Sequence, residues 1–550
     1  MRGARSSIVS GIVLATPVSL AAQAEPIPAH PCEQTCASAF SWPAPQTAGS
    51  GHYLPFPVSF TIATLPPGVD RAAVTDVEVA DFTGDGRTDV AIAWFRTDFE
   101  DPSVDRRILT ILRSQGIGEF ERLPDIDLFR PGFIPSLSDF RNGTSELAVG
   151  DFDGDGDIDI AALPFYGDEM WLVENLGGGE FAQHIKYVFG GAAQTSGNPI
   201  TPQEALVADF DDDGRDDLVY IADQNTFWDA QMLHFWTTSG SVAGMQRRPW
   251  EHVPSVPGAG FVGLRGLAVA DYDLDGVVDV AFTCQDAVLA MPFIQVWHHL
   301  NTTTARFDAH LYPLDEFASD VVTVPLKEGC RPGLAVANLQ GDTMQFWAPE
   351  SCDGPIEFGL AQTITGLSGL SPNAGVRAAA VDIDADGDRD LIVRQKLGSE
   401  EDDDQLDLII HRPGASPRWE LAFPRRLNTA GCGNYVNSQH LRPGNLAVAD
   451  LFGNARPEII VGCGPSTDPS GGDDILSICI WANSCVGDVS QDGRTDVDDL
   501  ASLLSAFGLP AEQRPNADLD KDGVIGVVDL GILLNDFGCF CCEDTGGASR

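Results

Sequence analysis

The chain has 550 residues, 43% of them hydrophobic, and a net charge of −48 from 33 Lys and Arg against 81 Asp and Glu. The apolar fraction allows a large core and excludes a globally disordered chain. The acidic balance, with no Lys/Arg cluster to offset it, excludes nucleic acid and anionic membrane surfaces as partners.

Residues 1–24 read as a signal peptide. Arg2 and Arg5 form a basic start, Ile8 to Ala22 is apolar or small and too short to span a bilayer, and Ala22-Gln23-Ala24 is a small-x-small cleavage site. This predicts secretion after cleavage near Ala24, an N-terminal extension over 25–54, and an oxidising setting for the 12 cysteines. Their spacing leaves the disulfide connectivity open. No later run is long enough to span a membrane.

An acidic string then recurs. DFTGDGRTDVAIA starts at Asp81, DFDGDGDIDIAAL at Asp151, DFDDDGRDDLVYI at Asp209, DYDLDGVVDVAFT at Asp271 and DIDADGDRDLIV at Asp382. Each lies between two short apolar runs, which reads as strand, loop, strand. The double gap before 382 hides a member, PLKEGCRPGLAVA from Pro325, whose loop has lost its carboxylates; DLFGNARPEIIVG from Asp450 keeps part of the pattern. Third-strand runs such as ILTIL (108–112) and MWLVEN (170–175) make each unit a four-stranded antiparallel sheet of about 60 residues. Seven such units predict a mainly β fold, a seven-bladed β-propeller over 55–482. The seventh unit lacks a fourth strand, and a spare strand, Pro57 to Ala63, precedes the first, so the N-terminal strand is expected to close the ring.

These five strings resemble the FG-GAP/VCBS repeats of integrin α-subunit heads and of many secreted bacterial proteins. The resemblance spans about 55–482 and implies calcium in the acidic loops. The residues themselves support the same chemistry. In D-x-[D/T]-x-D-G-x-x-D, positions one, three and five converge in a tight turn, Gly at six permits the turn, and Asp at nine closes the shell; such hard oxygen ligands suit Ca²⁺ better than Mg²⁺. The side-chain ligand sets are Asp81, Thr83, Asp85 and Asp89; Asp151, Asp153, Asp155 and Asp159; Asp209, Asp211, Asp213 and Asp217; Asp271, Asp273, Asp275 and Asp279; and Asp382, Asp384, Asp386 and Asp390. About five structural calcium ions follow, because clustered carboxylates repel without a cation. The seventh loop, with Asp450, Asn454 and Glu458 but Phe452 at position three, is expected to bind metal weakly or not at all. In the fifth unit Cys330 sits in the replaced loop and Cys352 follows the third strand on the same side of the sheet, so these two are expected to pair.

Residues 485–542 form a second unit, followed by a disordered tail over 543–550. DVSQDGRTDVDD at Asp488 and DLDKDGVIGVVD at Asp518 each fit a 12-residue calcium loop, with ligands Asp488, Ser490, Asp492, Arg494 (carbonyl), Asp496 and Asp499, and Asp518, Asp520, Asp522, Val524 (carbonyl) and Asp529. About two further ions are expected. Each loop runs into one helix signal, Leu500 to Gly508 and Leu530 to Gly538, with an apolar stripe. A loop with only its exiting helix, duplicated, resembles type I dockerin, and the Gly538-Cys539 end is similar to dockerin-type tails of secreted planctomycete-like proteins. A small all-α dockerin-like domain is implied, with a cohesin-like or cell-envelope receptor as partner. Cys485 and Cys539 are expected to clasp it.

The functional expectation is a non-catalytic binding or adhesion module for an extracellular glycan or protein. Aromatic pairs on the connections away from the acidic loops, Trp94 and Phe95, Phe165 and Tyr166, Phe227 and Trp228, with Tyr435, suit such contacts. The alternative is an extracellular polysaccharide lyase or hydrolase; no HExxH, GxSxG or triad order supports it.

Overall fold

The computed structural model describes residues 58–535 apart from 66–70, 98–105, 117–118, 129–143, 165–168, 188–200, 224–229, 238–239, 250–260, 287–290, 300–306, 325–329, 339–342, 353–356, 368–375, 384–388, 396–404, 412–418, 429–445, 452–456, 464–465, 468–473, 482–486, 488, 491–494, 511–513 and 520–523. The expected signal peptide, N-terminal extension, C-terminal tail and Cys485–Cys539 clasp therefore lie outside the described residues.

The fold is mainly β. Among the described residues there are seven antiparallel sheets, each running inner, second, third and fourth strand in chain order except the last. The inner strands are Arg71–Ala80, Thr144–Gly150, Thr201–Ala208, Phe261–Ala270, Ala318–Val324, Val376–Val381 and Leu446–Ala449. Each packs beside the next, and the seventh packs beside the first. In the seventh sheet the fourth strand is Val58–Thr64, paired antiparallel with Asp474–Trp481 from Val58↔Ile480 to Thr64↔Ile475. The N-terminal strand thus closes the ring. A two-residue strand, Ile126–Asp127, also pairs with the third strand of the first sheet, an addition that its length hides from periodicity.

The core lies in the seams between sheets. Phe82 packs with Leu147, Ile160 and Trp171 of the second sheet, Phe152 with Leu218 of the third, Phe210 with Val280 of the fourth, and Leu451 with Val74 and Val90 of the first. These residues hold position two of the acidic loops, so each loop plugs the seam to its neighbour. Close approach of inner strands demands small residues. A Cβ on Gly150 would come within 2.5 Å of Val207 Cγ1, and one on Gly266 within 2.5 Å of the Val321 nitrogen.

Five residues before the acidic loop, or before its replacement in the fifth unit, several inner strands carry a carboxylate. Register shifts fall beside Asp76, Glu146, Glu204 and Asp320. Such bulges re-aim a side chain. Asp76 Oδ2 accepts from the Leu147 N–H (2.6 Å), Glu146 Oε1 from the Ala205 N–H (3.0 Å), and Asp320 Oδ2 from the Ala378 N–H (2.8 Å). Each bond runs from one sheet to the next, between strands that share no ladder. Arg377 of the sixth sheet reaches Glu146 of the second at 3.2 Å. Burial pushes the Glu78 carboxyl up to about 7, with Glu146 adding to the rise and Arg377 opposing it; burial, Glu78 and Glu146 raise Asp76.

The fifth sheet is joined by the Cys330–Cys352 disulfide, which closes a separation of 22 residues. The C-terminal unit has two helices, Val497–Ala506 and Val527–Asn535, around Leu503, Ala506, Ala517, Ile525 and Leu533. Both begin three residues before the expected stripe, because the last turn of each loop is already helical.

Two outcomes follow. Replacing Cys330 and Cys352 by Ser should destabilise the protein by about 3 kcal/mol in denaturant titration, from the loop entropy released; equal midpoints would contradict this. Because the folded carboxyl of Glu78 titrates near 7, above its ordinary value, stability is lost as pH rises from about 4.5 to 7. Glu78→Gln should therefore melt above the parent at pH 8 and with it at pH 4, as calorimetry across pH would show.

Candidate metal centres

The connections between inner and second strands are equal in length. From the inner strand's end to the second strand's start the spacing is the same in every sheet: Ala80 to Asp89, Gly150 to Asp159, Ala208 to Asp217, Ala270 to Asp279, Val324 to Gly333, Val381 to Asp390 and Ala449 to Glu458. In the first four loops the position-one carboxylate accepts from the N–H groups of positions five and six. For Asp81 the distances are 3.1 Å to Asp85 and 2.7 Å to Gly86, and Asp151, Asp209 and Asp271 repeat them within a few tenths. Gly86, Gly156, Gly214 and Gly276 have φ of +83°, +94°, +83° and +91°, the region glycine enters without a Cβ penalty. Position four is left-handed too, and there Asp212 (+56°) and Leu274 (+61°) hold it without that freedom.

Position nine holds the loop to the sheet. Asp159 Oδ2 accepts from the Phe152 N–H (3.1 Å) and Oδ1 from the third-strand Asn175 N–H (2.8 Å). Asp390 does the same with Ile383 (2.9 Å) and His411 (2.7 Å), and Asp89 takes Ser114 (2.8 Å). In the seventh unit Glu458, longer by one methylene, still takes the Leu451 N–H at 2.8 Å.

Carboxylate oxygens of positions one, three and nine lie within 4.8 Å of one another in three loops: Asp151, Asp153 and Asp159; Asp209, Asp211 and Asp217; Asp271, Asp273 and Asp279. In the first loop Thr83 replaces the acid at position three. These groups hold positions one, three and nine of the expected one-three-five-nine sets; Asp155, Asp213 and Asp275 are not in them. Their Oδ1 atoms accept from the N–H of position seven at 2.9–3.0 Å. Asp384, Asp386 and Asn454 lie outside the described residues, as do Asp488, Asp492, Arg494, Asp520 and Asp522.

The donor set fits a hard cation. Asp153 Oδ1 is buried with no hydrogen-bond partner. Burial, with Asp153 and Asp155 nearby, pushes Asp159 up to about 8, and burial followed by Asp155 raises Asp153. A bound cation would reverse both. Residues 151, 153 and 159, and their counterparts from 209 and 271, would hold it, and it would neutralise carboxylates that otherwise repel.

Arginine enters two loops from position seven. Arg87 Nη2 lies 2.7 Å from Asp85, joined by Arg113 at 3.2 Å, and Arg215 pairs with Asp213. At Asp85 desolvation pushes upward but is outweighed by the Arg87 N–H and the two guanidiniums, so its carboxyl sits below the ordinary range. Position seven of the second and fourth loops is Asp157 and Val277. Adjacent loops also touch. Asp151 and Asp216 exchange hydrogen bonds at 2.9 Å, and Arg331, beside the fifth-sheet disulfide, donates to the Asp273 carbonyl at 3.5 Å.

The C-terminal loops repeat the position-nine device. Asp499 accepts from Ser490 and Asp496 N–H groups, both at 2.7 Å, within a capping box. Asp529 accepts from Leu519 (2.6 Å) and Gly526 (2.5 Å). Of the aromatic candidates, Trp94 is buried, its indole N–H donating to Thr110 Oγ1 at 3.0 Å. It packs rather than presents a face. Phe165, Tyr166, Phe227, Trp228 and Tyr435 lie outside the described residues.

Seven antiparallel sheets in a closed ring of inner strands define a β-propeller. Within it, residues 81–162 and 151–220 match the model of the FG-GAP-like repeat, so the chain carries FG-GAP-like repeats on a β-propeller. Similar solved structures include the Dos1 propeller, at 10% identity over 74% of this chain and 77% of that one with a TM-score of 0.39. An exo-β-1,3-galactanase from Phanerochaete chrysosporium with galactose matches at 12% over 52% and 62%, TM-score 0.30. A thermostable family-43 glycoside hydrolase matches at 13% over 51% and 94%, TM-score 0.29. Among curated proteins no relative is found.

Chelation is expected to lower the melting temperature, and added Ca²⁺ to restore it. Because arginine competes for Asp85 and Asp213, calcium titration should fill the second and fourth loops before the first and third. Arg87→Ala should tighten the first loop by about two- to fivefold, the scale of an exposed ion pair. A melting curve indifferent to chelator would overturn the metal assignment.

Proposed function

We propose that the chain is a secreted, calcium-stabilised, seven-bladed propeller that acts as a non-catalytic binding module for an extracellular glycan or protein, attached through its dockerin-like tail. The observation that carries this reading is the contrast between the two edges of the sheets. On one edge the spacing between inner and second strands is constant and the loops gather oxygen ligands. On the other edge the spacing varies, from Asn338 to Thr343 in the fifth sheet to Gly462 to Asp474 in the seventh. A metal-clamped scaffold edge opposite a variable edge is the division expected of a recognition fold. Among the described residues no helix is long and apolar enough to cross a membrane, and the C-terminal unit, with its own apolar cluster around Leu503 and Leu533, would serve for attachment.

The test uses the secreted chain with and without residues 485–550, in Ca²⁺ and in chelator, on a glycan array and on host cells. Both forms should bind the same array ligands, chelator should abolish binding, and only the full chain should remain on cells. Equal retention of the truncated form would overturn attachment through the tail. Cleavage of a bound glycan, seen as new reducing or unsaturated ends, would overturn the non-catalytic reading in favour of a lyase or hydrolase.

A further inference from the structure

Two departures from the repeat meet at one point. Before the connecting loop, six inner strands end in Ala80, Ala208, Ala270, Val324, Val381 and Ala449, but the second ends in Gly150. At position eight the five acidic loops carry Thr88, Ile158, Asp216, Val278 and Arg389, so the third has the acid there. Asp216 belongs to none of the metal-ligand sets.

Asp216 crosses the seam to the second loop. Its Oδ2 accepts from the Asp151 N–H at 2.9 Å, and its own N–H donates to the Asp151 carbonyl at 2.9 Å. Both polar groups of the Asp151 main chain are thus held by a different sheet. Gly150 makes the approach possible: a Cβ there would lie 2.8 Å from Asp216 Oδ2 and 3.1 Å from Asp216 Cβ. Arg215, one residue earlier, uses the next glycine in the same way, since a Cβ on Gly154 would lie 2.8 Å from Arg215 Cγ. Ile158, at position eight of the second loop, has no carboxylate to offer Asp81 in return.

Asp151 is the position-one residue of the second metal centre. Its carboxylate accepts from Gly154 (2.7 Å), Asp155 (3.1 Å) and Gly156 (3.1 Å) within its own loop. The main chain is set by Asp216 and the side chain by the loop, so its oxygens stand beside those of Asp153 and Asp159 with little freedom left to lose on binding. The clamp also works in reverse. Asp216 directly precedes Asp217, the position-nine residue of the third centre, whose Oδ2 takes the Phe210 N–H at 3.1 Å. Fixing Asp151 around an ion fixes Asp216, and with it Asp217. Coupling through shared ordering favours the second binding event and is equal in both directions. Repulsion between two bound ions opposes it, but at about 0.15 M salt fields fall off over roughly 8 Å.

We propose that Asp216 is a positioning residue of the second metal centre, supplied by the third sheet, and that it couples calcium binding at the second and third centres. The proposal rests on the metal assignment above. The full chain would be titrated with Ca²⁺ by calorimetry, and its ions counted by native mass spectrometry. Asp216→Val places there the residue that the fourth loop carries, so the loop should still fold. It should leave the ion count unchanged and weaken two sites, each by about fivefold or more. Asp216→Asn keeps an acceptor for the Asp151 N–H and should stay within about twofold of the parent. Asp153→Ala, which removes a ligand of the second centre, should lose one ion and weaken another by about fivefold. Adding Asp216→Val to it should change nothing further, because the link is already idle. Asp216→Val should also lower the melting temperature more in saturating calcium than in chelator, whereas a merely structural contact would lower both equally. Asp216→Val that titrates like the parent, an Asn variant no better than Val, equal losses in calcium and chelator, or Asp153→Ala that weakens no second site would each overturn the proposal and leave the metal assignment standing. A parent chain that takes up no calcium would overturn both.

Discussion

The carboxylate at position nine is the interaction on which six of the seven sheets depend. Its two oxygens take one main-chain N–H from the loop and one from the third strand, as at Asp159 and Asp390. One side chain therefore fixes the loop to two strands and places the position-two side chain in the seam to the next sheet. Six of the seven units have an acid at position nine; the fifth, with Gly333 there, has the Cys330–Cys352 disulfide instead. In the seventh unit, which has Phe452 at position three, Glu458 still makes the bond to Leu451. The C-terminal unit reaches the same solution on helices, with Asp499 and Asp529.

Much of the fold was readable from the residues because the repeat is local. Each loop, its flanking strands and its glycine lie within about a dozen residues. The hidden fifth unit and the closing strand followed from counting, and the pairing of Cys330 with Cys352 from the order of strands in a meander. What escaped were contacts between distant segments. The bonds from Asp76, Glu146 and Asp320 to neighbouring sheets depend on bulges, though a charged residue five positions before the loop was a signal open to view. The engagement of Asp85 by Arg113 depends on register. Trp94 looked like a contact residue at a strand end and proves to be packing, because its partner Thr110 lies across the sheet.

Charge is managed differently at the two ends of several inner strands. Toward the acidic loop, carboxylates gather with donors aimed at a common point, which suits an ion. Further back, single carboxylates each meet one main-chain N–H of the next sheet, which suits a rigid ring. The fifth unit departs from both its neighbours. It has a covalent link in place of a carboxylate cluster and extends Arg331 toward the loop of the fourth sheet.

The closing strand also sets an order in time. Val58–Thr64 is made early, yet its partner, Asp474–Trp481, emerges more than 400 residues later. Until then the first sheet has no seventh neighbour. Pairing across so much chain carries a large loop-closure cost, which slows folding. The molecule is therefore suited to complete itself after the whole chain is in one compartment, where the first and last parts of the propeller meet for the first time.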